Sequence, residues 1–152
     1  MNGAELRTVR ESMGLSMEWL AQRLPNPVLG RMGISVKTLR RWERDNQDIP
    51  GDVAEHLNEL MGLFVGLVDR ELDKADNALR SGAQVILERY SRDSEMVTRN
   101  VSLAGFPAAF HAAALFLARE RLLHILGYRP AIRYVAGDPL LAVELKKGLV
   151  AE

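Results

Sequence analysis

Between Pro50 and the Ser81-Gly82 pair the chain has no proline, and its apolar residues recur at Val53, Leu57, Leu60, Phe64 and Leu67, a spacing of 4-3-4-3. That spacing lays all five along one stripe of an α-helix. The stripe resumes at Val68, Leu72, Ala75 and Leu79 after a shift of one residue. A helix over 53–79 has roughly 27 residues and runs for ~40 Å at 1.5 Å per residue, longer than a small domain is wide. Pro50-Gly51 marks its start, and Asp52 with Glu55 forms a pair resembling a capping box. Two readings follow: an amphipathic core helix that breaks near Asp69, or a helix that also meets a partner subunit. In both, it divides the chain into units 1–80 and 81–152.

Upstream of it the sequence reads as three short helices. Leu6, Val9, Arg10 and Met13 have helical spacing, and Gly14 ends that segment. Ser16 is a good N-cap for 17–24, with Trp19, Leu20 and Leu24 on the apolar face. Pro25-Asn26-Pro27 stops this helix, because a residue before proline avoids the helical region. A loop through Gly30 and Gly33 leads to Ser35, which caps a third helix over 36–44 with Leu39 and Trp42 as its buried positions. Lys37, Arg40, Arg41 and Arg44 fall on its other faces.

Downstream, 83–90 is rich in Val, Ile, Leu and Tyr and reads as a strand. Residues 91–102 are polar and read as a loop. Residues 107–126 form a strong helix closed by Gly127. Residues 131–135 read as a second strand, and the β-α-β order suggests that the two strands pair. Asp138-Pro139 opens a last helix ended by Lys146, Lys147 and Gly148, or else 141–145 forms a hairpin with 131–135. The fold class is therefore mostly α, with an N-terminal bundle of short helices, a long connecting helix and a small C-terminal strand-helix-strand unit.

Composition excludes several classes of function. Hydrophobic residues make up 47% and charged residues 26% of the 152, which excludes wholesale disorder. With no cysteine there are no disulfides, thiolate metal sites or cysteine nucleophiles. The most apolar run, 104–118, is interrupted by Pro107 and His111 and is too short to span a bilayer. The charged, periodic N-terminus does not read as a signal peptide. A cytoplasmic protein without membrane association is expected. His56, His111 and His124 are separated by 55 and 13 residues, which is not ligand spacing, so no metal is expected. No nucleotide-binding glycine motif, catalytic triad or paired carboxylate in an apolar context stands out, so neither an enzyme nor a cofactor is expected.

Charge points elsewhere. The chain is neutral overall, with 20 basic and 20 acidic residues. Over 31–44, however, Arg31, Lys37, Arg40, Arg41 and Arg44 stand against Glu43 alone, a balance of +4, whereas 51–152 carries 12 basic and 14 acidic residues. A serine-capped helix that is basic on its outer faces, preceded by a second short helix, suits the DNA major groove, where Arg and Lys reach guanine O6 and N7.

Residues 33–44, Gly-Ile-Ser-Val-Lys-Thr-Leu-Arg-Arg-Trp-Glu-Arg, resemble the recognition-helix motif of Cro and phage-repressor type helix-turn-helix proteins, also called the xenobiotic-response-element type. Residues 15–21, Leu-Ser-Met-Glu-Trp-Leu-Ala, resemble the first motif helix of that family, and Ile49-Pro50 matches its proline before the next helix. The resemblance covers 4–60. It implies that Val36, Lys37, Arg40 and Arg41 face base edges and that Ser35, Thr38 and Arg44 lie at phosphates, with Ser35 both capping the helix and offering its N-terminus to a phosphate. Three features depart from the family. Residues 25–32 form an eight-residue insertion, read here as a solvated loop, with a contact from Arg31 to the DNA backbone as the alternative. Met17 stands where a Gln is usual. Asp45 replaces the usual Gly, which leaves the left-handed position to Asn46.

In its order of elements the whole chain is also similar to anti-CRISPR-associated helix-turn-helix autorepressors, which implies dimerisation through the C-terminal half. The stripe of Leu57, Leu60 and Phe64 and the apolar helix between Phe106 and Leu126 are the expected material for a two-fold contact. The expected function is a sequence-specific DNA-binding transcriptional regulator, a homodimeric repressor on a palindromic site in double-stranded DNA. The alternative is an antitoxin or protein-interaction module whose C-terminal unit binds a partner protein such as a toxin. Trp19 and Trp42 read as core residues, and Glu43 as a structural partner of an arginine such as Arg10.

Overall fold

The computed structural model describes residues 1–45 and 48–135. Among these, six α-helices account for most of the chain: α1 (Gly3–Ser12), α2 (Met17–Arg23), α3 (Val36–Arg44), α4 (Gly51–Arg80), α5 (Asp93–Arg99) and α6 (Ala108–Leu126). Two short strands, β1 (Pro25–Asn26) and β2 (Arg31–Met32), pair antiparallel, and β3 (Ile86–Arg89) pairs parallel with β4 (Ala131–Tyr134). The mostly α class, with a small strand-helix-strand unit after a long helix, is the one the sequence predicts. Among the described residues no helix is long and apolar enough to cross a membrane. The proposed tail helix or hairpin beyond residue 135, and the left-handed role of Asn46, lie outside the described residues.

The helix ends follow side-chain chemistry. Asn2 and Glu5 form a reciprocal capping box on α1, each side chain accepting from the other's backbone N–H. Ser16 accepts from the Trp19 N–H at 3.1 Å and starts α2. At α4 the expected capping box does not form. The helix begins at Gly51, two residues earlier than the spacing implied, and Asp52 accepts from the Val53 N–H instead. The break near Asp69, which one of the two readings allowed, is also absent. Leu67 and Val68 are both buried, so the one-residue shift widens the apolar stripe without interrupting the helix.

Residues 91–102 form α5 and a 3-10 turn rather than a loop. Met96 and Leu103 are the buried anchors of this segment, too few to leave a period in the sequence. Helix α5 also completes its neighbour: Asp93 Oδ1 accepts from the Ala108 N–H at 2.7 Å, which satisfies one of the orphan donors at the start of α6. At the far end of α6, Gly127 takes the left-handed conformation with φ +75 and donates its N–H to the Leu123 carbonyl, the closure expected of a C-cap glycine. The parallel pairing of β3 with β4, in the register Ile86↔Ala131 to Arg89↔Tyr134, needs a long crossover connection, and α6 is part of it.

Apolar packing runs across the boundary at Arg80. Leu6, Leu20, Leu24 and Leu39 from the first three helices share one cluster with Val53, Leu57, Phe64 and Leu67 of α4 and with Met96, Phe110 and Ala114. Phe64 meets Phe110 edge to face at 5.3 Å. A second cluster joins Ala75 of α4 to Val85, Leu87, Leu115 and Leu122. Gly14, with φ +68, permits a close approach: a Cβ built there would stand 2.5 Å from the Ala109 carbonyl oxygen on α6. A buried polar tie adds to the α4–α6 contact. His111 Nε2 lies 3.5 Å from Glu71 Oε1, which also accepts from Lys74 Nζ at 2.6 Å. Burial pushes the Glu71 carboxyl up, but the hydrogen bonds from His111 and Lys74 outweigh it and hold the group below its usual range.

These contacts correct one expectation. Leu57, Leu60 and Phe64, with Phe110, Leu115 and Leu122, are buried within the chain's own core and are not free for a two-fold contact.

Candidate nucleic-acid interface

Helix α3 is built to expose cations. Ser35 Oγ accepts from the Thr38 N–H at 3.0 Å and so caps the helix as its position predicts. It also shares a 2.9 Å hydrogen bond with Thr38 Oγ1, so one hydroxyl hydrogen of the pair is free to donate outward. Leu39 is fully buried, Trp42 only half-buried, and the second buried position of the helix is Glu43.

A buried carboxylate requires a partner. Arg10 of α1 supplies it with two parallel bonds, Nε to Oε1 at 2.6 Å and a terminal nitrogen to Oε2 at 3.0 Å, and donates a third to the Leu15 carbonyl. The Glu43 hydrogen bond raises the Arg10 pKa above its ordinary value, against the opposing effect of burial. Thus the only acidic residue of α3 turns inward and is neutralised there, as the sequence anticipates. Gly3 lets the start of α1 close on the end of α3: a Cβ there would collide with the Trp42 carbonyl oxygen.

The outer face is left cationic. Lys37, Arg40, Arg41 and Arg44 are exposed and, with Thr38 and Asp45, line one concavity. None of them, nor exposed Arg31, forms an ion pair among the described residues; Arg23, Arg70, Arg89, Arg92, Arg119 and Arg133 form none either, so what sets the α3 cations apart is their clustering on one exposed face. Of the eight residues assigned to DNA contact, Ser35, Lys37, Arg40, Arg41, Arg44 and Arg31 are exposed, while Val36 and Thr38 are half-buried. Val36 packs on the core and offers only part of its side chain. Met17 also packs on the core, which accounts for an apolar residue there.

The insertion 25–32 is open to solvent, as a loop there would be, but it is ordered as a short hairpin. Pro25 pairs with Met32 and Asn26 with Arg31. The Asn26 carboxamide oxygen accepts from the Val28 and Leu29 N–H groups, and its nitrogen donates to the Gly33 carbonyl. Gly30 supplies the positive φ that the turn requires. Val28, Leu29 and Met32 stand exposed on this hairpin, a feature the sequence reading missed. With two residues per strand there is no alternation to detect; only the closely spaced Pro, Asn and Gly residues signal a turn.

Among the described residues no group of three or more His, Cys, Asp or Glu side chains is placed to hold a metal ion. No family model matches the chain, and no curated protein matches it either.

Proposed function

We propose that the protein is a sequence-specific DNA-binding transcriptional regulator that acts as a dimeric repressor on a palindromic operator. In this reading it works by binding, without catalysis or cofactor. The observation that carries the proposal is the outer face of α3, where Lys37, Arg40, Arg41 and Arg44 are exposed without ion-pair partners among the described residues, above a carboxylate that Arg10 holds inward. Lys37, Arg40 and Arg41 read base edges, Val36 adds apolar contact, and Ser35, Thr38, Arg44 and Arg31 hold phosphates.

The test is a titration of the full chain against duplex DNA over a salt series. Log K should fall linearly with log salt, with a slope of about −0.9 per phosphate contact. Absence of duplex binding at low salt contradicts the proposal. Arg44→Ala should weaken binding to all sequences alike and flatten the slope by about one unit. An unchanged slope removes Arg44 from the interface.

The outer face of α6 supports a second copy. Ala109, Ala112 and Phe116 follow one another on that face, ahead of Arg119 and Glu120, and Phe116 is 60% exposed. A stripe of this kind suits an isologous helix–helix contact. In sedimentation the wild-type chain should run as a dimer and Phe116→Glu as a monomer with an unchanged melting curve. A wild-type monomer at micromolar concentration contradicts the two-fold part of the proposal. A second reading, capture of a different protein by the C-terminal unit, draws on exposed Ile125, Tyr128 and Tyr134.

A further inference from the structure

We propose that the hairpin 25–32 is a second DNA-contacting element, which sets Arg31 on the phosphate backbone and the apolar tip of Val28 and Leu29 in the minor groove beside the site of α3. The proposal rests on the DNA-binding function argued above.

Four observations converge on it. First, the tip is apolar and open to solvent: Val28 is 87% exposed, Leu29 57% and Met32 55%. Second, it is held in shape by the Asn26 side chain and by strand pairing, so little ordering cost remains on binding. Third, its base sits at the N-terminal end of α3: the Gly33 N–H donates to the Leu24 carbonyl and the Ile34 N–H to the Ala21 carbonyl, immediately before the Ser35 cap. In helix-turn-helix docking that end of the recognition helix enters the major groove. Each arm of about three residues reaches ~10 Å at 3.3 Å per residue, enough to cross the phosphate ridge between the grooves.

The fourth observation is charge, and it favours a polyanion. The chain has 20 acidic residues, yet none lies within 19–42, where Arg23, Arg31, Lys37, Arg40 and Arg41 are the charged side chains. The hairpin and the first two turns of α3 thus share one acid-free run, and Asp45 joins the concavity only at its far end beside Arg44. A surface meeting a protein has no need to exclude carboxylates, whereas one lying along phosphates does. Aliphatic side chains inserted between base steps, with an arginine on the adjoining phosphates, suit a minor groove that lacks the guanine amino group.

The experiment uses the full chain and duplexes that the wild-type chain enriches from a random pool. Replacing A·T pairs that flank each half-site by G·C should weaken wild-type binding about tenfold. Replacing them by inosine·cytosine should not, because inosine lacks the amino group that guanine adds to the minor groove. The double variant Val28→Ser, Leu29→Ser, with folding checked by circular dichroism, should bind all three flanks alike. Arg31→Ala should flatten the salt slope by about one unit. A double variant that keeps wild-type affinity and flank preference overturns the hairpin proposal while the function stands. A double variant that dissociates a wild-type dimer in sedimentation assigns the tip to a second copy and overturns it as well. A wild-type chain that enriches no sequence brings down the function and the hairpin together.

Discussion

Glu43→Ala and Arg10→Ala should each cost about 3–5 kcal/mol of stability, the usual consequence of leaving half of a buried, hydrogen-bonded pair behind. Both side chains are nearly inaccessible, Glu43 2% and Arg10 8% exposed, and joined by two bonds. For a chain of this length the melting temperature should fall by about 10 °C. The double alanine variant should cost less than the two single losses added together, because neither charge is then stranded. The pair ties α1 to the last turn of α3, so the single variants should also lose DNA affinity in proportion to their unfolding. Melting curves of the four proteins form a complete cycle. Additive losses would mean that the two groups do not act on each other.

Replacing Lys37, Arg40 and Arg41 together by Ala should have the opposite profile. All three are exposed and unpaired among the described residues, so the melting temperature should scarcely change. Each base contact of this kind contributes about 1–3 kcal/mol of discrimination, so the triple variant should lose roughly a thousandfold or more in specific affinity. Single variants separate the roles. A base-reading residue relaxes preference at one base-pair position, whereas a phosphate contact weakens all operator variants equally. A triple variant with wild-type affinity would place the binding surface elsewhere.

The readable parts of the sequence were those where a local rule and burial agree. Ser35 before an apolar pair three apart located α3, and Gly127 after an apolar run located the end of α6. The partnership of Glu43 with Arg10 was legible because a lone acid among arginines must be neutralised. Other features depended on tertiary contacts. Helix α5 rests on Met96 and on capping α6 through Asp93, which no period reveals. The hairpin is too short for alternation, and the side chain that shapes it, Asn26, bonds to groups brought near only by the turn. The apolar face of α4 suggested a partner because its length exceeds a small domain. Residues from beyond Arg80, such as Phe110 and Ala114, cover it instead. The candidate interface was legible as a list of residues, but not the division between exposed cations and half-buried Val36 and Thr38.

Selection of bound duplexes from a random pool by the full-length chain tests the DNA-reading proposal most directly. The expected result is a palindromic consensus whose half-sites lie one helical turn apart, ~34 Å between centres. Each half should contain guanines whose preference is lost in the Lys37, Arg40 and Arg41 variants. Recovery of unenriched random sequence, or of a consensus that survives loss of all three side chains, would contradict it.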